Sequence, residues 1–321
     1  MCRAIILCCL ALVGLGAVAQ SPVDTSDYPG YRKIIKDQTL YIWLWDGDAE
    51  AWLKRSFYRS KLGDHQGAVD DLGHVIAIHP TDHQAYTSRA FSRERLNDIE
   101  GAIADYTRAI ELAPTFKDAH GSRAMDLYKL GRYKEALRDL DAFIRLDSTI
   151  AEFFLYRGYC KAKLNDHEGA IADHDRVIRM EPKNAKAWNN RGMSKFFLER
   201  YDEALADMNT AIALDTNYAQ AYNKRGQVKY RTDDITGAML DYDRSIELDP
   251  TNASAFCNRG VARADKEFYP GALADFDRSV ELDPTQVEAF NSRALVYELM
   301  GDMEKAKRDR KSAALLGAPG P

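Results

Sequence analysis

Five cysteines among 321 residues are few, and three of them, Cys2, Cys8 and Cys9, crowd into the first nine positions. Charge of one sign is scarce too: the formal net charge is −5, which gives no electrostatic case for binding nucleic acid. Only one apolar run of any length exists, in "MCRAIILCCLALVGLGAVAQ" at residues 1–20. It is shorter than the ~20 residues a membrane span requires and no stop-transfer segment follows it. With Arg3 before it and Ala17-Val18-Ala19 as a small-x-small site ahead of Gln20, residues 1–19 read as a secretory signal peptide. Cys8 and Cys9 lie too deep in that run to receive a lipid at the cleavage point. The expectation is an exported protein, periplasmic or secreted, with no stable span after cleavage. Catalytic signatures are missing as well. There is no G-x-S-x-G, no H-E-x-x-H and no glycine loop for a phosphate.

What the sequence does contain is itself, repeatedly. "DYDRSIELDP" (241–250) returns as "DFDRSVELDP" (275–284), displaced by 34 residues. The same step yields Arg55, Arg89, Arg123, Arg157, Arg191, Arg225, Arg259 and Arg293. It also yields Ala68, Ala102, Ala136, Ala170, Ala204, Ala238, Ala272 and Ala306, and then Asp71, Asp105, Asp139, Asp173, Asp207, Asp241, Asp275 and Asp309. Self-similarity at a fixed period of this size marks a stacked array. Eight units fill 49–320 without insertion: 49–82, 83–116, 117–150, 151–184, 185–218, 219–252, 253–286 and 287–320. Units of an array touch only their neighbours. Cys160 and Cys257 stand three units apart and so are out of reach of one another, and the array must be stable without a disulfide.

Within a unit, small and apolar residues recur at helical spacing in two blocks separated by a break such as "TDDITG". Pro80, Pro114, Pro182, Pro250 and Pro284 close the second block of five units, because proline cannot continue a helix. Each unit is therefore helix, tight turn, helix. Ser56, Ala90, Ala124, Gly158, Gly192, Gly226, Gly260 and Ala294 hold one position of the first helix. Glycine inside a helix costs about 0.5–1 kcal/mol relative to alanine, so its repeated use there implies a close crossing that a larger side chain would obstruct.

Trp188-x3-Gly192, Ala238-x3-Tyr242, Ala272-x3-Phe276 and the exit prolines resemble the tetratricopeptide repeat family over residues 49–320. Two departures are regular. Arginine replaces the usual leucine before the small residue, and Lys161, Lys195, Lys229 and Arg263 stand where the family often has tyrosine. The resemblance implies an all-α, right-handed superhelical solenoid of eight helix-turn-helix repeats. It also implies a non-enzymatic scaffold or adaptor whose first helices line a concave groove for a peptide or helix of another protein. Ahead of the array, the segment 20–48 carries an amphipathic "YRKIIKDQTLYIWLW" (31–45), with Ile34, Ile35, Tyr41, Ile42 and Leu44 as the apolar side of a capping helix. At the other end, Arg310 takes the slot held by Tyr242 and Phe276, which suits a face turned to water.

The family's groove positions give the candidate partner-binding residues: Tyr128, Tyr159, Asn189, Asn190, Met193, Phe196, Asn223, Gln227, Tyr230 and Asn258. The aromatic and apolar members would anchor side chains, and the asparagines would hold the backbone of an extended peptide. No first helix has both the lysine and the asparagine of the family's clamp for chaperone C-termini. A carbohydrate-binding protein or an enzyme using the groove as a cleft is the alternative, and it would need a titratable cluster confined to one repeat, which the sequence does not offer. His65, His74, His79 and His83 are dense, but His79-x3-His83 straddles Pro80 with no matching cysteine or paired carboxylate, so neither metal nor cofactor is expected. Asp173-His174-Asp175 looks catalytic in isolation, yet Asp173 belongs to the eightfold series and His174 to the slot of Tyr242. The arginine and aspartate series read as a ladder of ion pairs between helices. Asn252-Ala253-Ser254 is a glycosylation sequon at a repeat boundary. The sequence names neither the partner protein nor an oligomeric state.

Overall fold

The computed structural model describes residues 28–45 and 48–317; residues 1–19, read above as a signal peptide, lie outside them. Among the described residues there are seventeen helices and no strand. They form two compact units, divided between residues 164 and 165. The first holds α1 (Tyr28–Leu44), α2 (Ala49–Lys61), α3 (His65–Ile78), α4 (His83–Arg95), α5 (Ile99–Leu112), α6 (Lys117–Lys129), α7 (Tyr133–Leu146) and α8 (Ala151–Lys163). The second holds α9 (His167–Met180), α10 (Ala185–Phe197), α11 (Tyr201–Leu214), α12 (Ala219–Arg231), α13 (Ile235–Leu248), α14 (Ala253–Asp265), α15 (Tyr269–Leu282), α16 (Val287–Leu299) and α17 (Met303–Gly317). Within each unit from α2 onward the helices run in pairs, a first helix packed on the second helix of its own repeat and that second helix packed on the first helix of the next.

The turn between paired helices repeats as faithfully as the helices do. One residue per repeat has positive φ: Gly63, Asn97, Gly131, Asn165, Glu199, Asp233, Glu267 and Gly301. This left-handed step ends the first helix, and the next residue caps the second. Asp64, Asp98, Asp166 and Asp234 each accept from the backbone N–H three residues on, satisfying a free donor of the helix start. Arg132, Arg200 and Phe268 hold the same place without a side-chain cap.

The crossing inside each repeat is as close as the small residues require. A Cβ added to Gly226 would stand 2.5 Å from Tyr242 Cε1, and one on Gly260 would stand 2.7 Å from Phe276 Cε1. Gly192 faces the backbone oxygen of Ala204 at 3.2 Å. The opposing slot is filled in turn by Leu72, Tyr106, Leu140, His174, Met208, Tyr242 and Phe276, all fully buried. In the eighth repeat Arg310 occupies it, exposed and bonded to Glu298 and Asn291.

Helix α1 lies on α2, with Ile42 buried and the Tyr31 ring 5.1 Å from that of Tyr58. Tyr41 and Leu44 do not join that face; they are 44% and 57% exposed, beside Leu40 and Trp43. At 100° per residue Ile35 falls within about 20° of Ile42, whereas Tyr41 and Leu44 are turned about 100° and 160° away from it.

Candidate protein-interaction surface

The arginine series makes an ion-pair ladder of fixed geometry. Arg55, Arg89, Arg123, Arg191, Arg225, Arg259 and Arg293 each present Nε and Nη2 to the two oxygens of the aspartate sixteen residues on. The fork matches a carboxylate bidentately, which is why lysine could not replace arginine here. Those aspartates are buried, so their charge must be answered locally. A second cation completes the answer: Arg59, Arg93, Lys195, Lys229 and Arg263 reach Asp71, Asp105, Asp207, Asp241 and Asp275, each at 2.8 Å. In the third repeat Leu127 stands at that position, and His120 contacts Asp139 at 3.0 Å instead.

The free Nη1 of most of these arginines turns back to the preceding repeat. Arg191 meets Asp175 at 2.6 Å, Arg259 meets Asp243 at 2.7 Å, Arg293 meets Asp277 at 2.7 Å and Arg225 meets Asn209 at 2.8 Å. Six of the seven guanidinium groups, all but that of Arg123, also lie over the aromatic residue three positions earlier, as Arg191 does over Trp188 at 4.6 Å. The ladder is engaged with itself on every side. Asp175 belongs to it, and the histidine between Asp173 and Asp175 is a core residue.

The candidate groove residues fall into separate groups. In the first unit Tyr128 and Tyr159 share an aromatic cluster, ring centroids 5.3 Å apart, with Tyr156 4.9 Å and Tyr133 6.2 Å from Tyr128. Sequence reasoning passed over Tyr133 and Tyr156, although Tyr156 and Tyr159 are three apart on one helix and therefore share a face. In the second unit Met193 and Phe196 pack together against Tyr201, Leu205, Met208 and Val228. Tyr230 packs against Tyr242 and Met239 and donates its hydroxyl to Asp265. Asn258 donates to Asn223 Oδ1 at 2.8 Å, linking successive first helices, and Asn189 donates to Asn190 Oδ1 at 3.2 Å. Gln227 accepts from Lys224 at 3.5 Å. Asn189 is only 4% exposed and its own Oδ1 has no donor.

The remaining candidates are accounted for by packing. His74 stacks on Trp52 with centroids 4.0 Å apart, and the His83 ring meets the edge of Phe116. Among the described residues no three of His, Cys, Asp and Glu converge to hold a metal ion, and no helix is long and apolar enough to cross a membrane. Cys160 and Cys257 are free, buried thiols, and burial pushes both up to about 12. Asn252 of the sequon caps α14 by accepting from the Ala255 N–H at 3.1 Å.

Three repeat-family models match four segments: 83–116 and 219–252 a tetratricopeptide repeat, 122–185 a second tetratricopeptide repeat family, and 194–233 a TPR repeat. Over those segments the chain is built of tetratricopeptide repeats. A tetratricopeptide repeat protein from Parabacteroides merdae is similar in structure, with a TM-score of 0.62 at 18% identity over 81% of this chain and 98% of the other. A chain of the APC/C hetero-tetramer Cut9-Hcn1 gives 0.58 at 13% identity over 92% of this chain and 59% of its own length. At these identities the likeness is one of fold. Among curated protein sequences none matches this chain significantly. Within the tetratricopeptide frame, the ladder accounts for both sequence departures: the arginine in place of leucine and the cation in place of tyrosine meet on one aspartate.

Proposed function

We propose that this tetratricopeptide protein is an exported, non-enzymatic adaptor that holds an extended segment of a partner protein along its first helices, chiefly on α10, α12 and α14. The observation that carries this reading is the row of half-buried Met193, Phe196 and Tyr230 on successive first helices, with half-buried Asn190 beside it. Apolar partner side chains would cover these three while the Asn190 side chain holds the partner's backbone. The first helices of the second unit touch one another in sequence, so these residues form a continuous row. Export rests on residues 1–19 alone, and it places the partner outside the cytoplasm.

The test is capture of a partner from intact cells by the tagged full-length chain, with the extracytoplasmic fraction analysed. Phe196→Ala and Tyr230→Ala, each folded by circular dichroism, are expected to weaken capture by about 2 kcal/mol apiece, roughly thirtyfold. Undiminished affinity in both variants would move the binding site elsewhere.

A further inference from the structure

Where α4, α5 and α6 meet, at the junction of the second and third repeats, two carboxylic acids lie together outside the ladder. Glu94, in the last turn of α4, accepts a hydrogen bond from the Tyr106 hydroxyl of α5, and the Tyr106 ring is fully buried. Asp126 of α6, 1% exposed, is close enough to Glu94 for the two carboxyls to share a hydrogen bond. Asp126 Oδ1 has the Lys129 ammonium at 3.4 Å, but Asp126 Oδ2 has no donor. Two ionised carboxylates so placed repel each other and leave that buried oxygen unsatisfied.

The arrangement lacks one hydrogen, and its position is defined. Tyr106 already donates to one oxygen of Glu94. A proton on the carboxyl of Glu94 therefore has Asp126 Oδ2 as its acceptor, and the chain Tyr106 to Glu94 to Asp126 is then complete. We propose that Glu94 and Asp126 form a proton-binding site that holds a single proton between repeats 2 and 3, and that its release on alkalinisation weakens this junction.

The electrostatics point the same way. Burial first, and the charge of Asp126 second, raise the Glu94 carboxyl to about 7, while the Tyr106 hydrogen bond and Lys129 act in the opposite direction. Burial likewise lifts Asp126 above the usual aspartate range, with Lys129 opposing. The other nearby charges are engaged: Arg93 of α4 with Asp98 and Asp105, while His65 of α3 faces Arg95. The folded chain thus holds a proton that the unfolded chain has already lost between about 4.5 and about 7. Stability is fully present below that window and declines as pH rises through it.

Carbon-13 NMR of the side-chain carboxyls in the full-length chain tests the site directly. One glutamate resonance, absent from Glu94→Gln, is expected to titrate near neutrality, and in Asp126→Asn its midpoint should drop. Wild type is expected to lose Tm between about pH 5 and 8; glutamine keeps an acceptor for Tyr106 and supplies an N–H to Asp126, so Glu94→Gln should fold and lack that fall. A Glu94 resonance titrating in the ordinary carboxylate range overturns the proposal. So does a pH profile of Tm that Glu94→Gln leaves unaltered.

Discussion

In five repeats a buried aspartate answers two cations, and the packing of the helix pair depends on it. Asp207 binds Arg191 through both oxygens and Lys195 through one, and Lys195 is itself buried. Removing one member of a buried charge group leaves the others uncompensated, at a cost of about 3–5 kcal/mol. Asp207→Ala should destabilise the chain by that amount in urea unfolding, whereas Asp202→Ala, at an exposed site, should change little. This pairing was half legible beforehand. The unbroken arginine and aspartate columns announced a ladder, because a strict period preserves partners as well as positions. The second cation stayed hidden because its column is interrupted by Leu127 and Tyr297 and read as a departure from a tyrosine. Its purpose depends on a shared carboxylate that sequence spacing does not reveal. Glu94 and Asp126 were not foreseen at all, since each occurs where the repeat pattern is silent and only burial gives them meaning.

At the scale of the element, the helix pair is governed by two backbone demands with opposite substitution rules. The crossing needs absence of a side chain: Gly226→Ala would press on the Tyr242 ring and should cost about 1–3 kcal/mol. The turn needs a left-handed residue, and Glu199 supplies it at φ 60° where five of the other repeats use glycine or asparagine. A non-glycine residue is disfavoured there by about 1–2 kcal/mol, so Glu199→Gly should raise stability by about 1 kcal/mol. Thermal melts of the two variants should move in opposite directions. The crossing was readable in the sequence because four glycines share one column. The turn was readable only as a break, because glutamate carries no signal of a positive φ.

For the whole molecule, stability is expected to behave as a chain of neighbours. Ile42 buries α1 against the first repeat; Ile42→Ala should raise hydrogen exchange in α1 and α2 and leave α14 to α17 unchanged. Exposure spreading through the array would contradict this local coupling. The apolar side of α1 was only partly legible: its isoleucines were placed correctly, but Tyr41 and Leu44 were counted with them because composition does not fix rotation about a helix axis.

The ladder also bears on how such a gene can change. The seven arginines described above reach sixteen residues forward in their own repeat and, for most of them, sixteen back into the preceding one. Both offsets survive if any stretch of 34 residues is copied or lost in frame, because the seam joins the same ladder positions as before. Unequal recombination between neighbouring copies can therefore lengthen or shorten the protein by whole repeats in one event. An insertion of any other size between an arginine and its aspartate separates a buried charge from its partner, so the length of the gene is free to vary only in steps of one repeat.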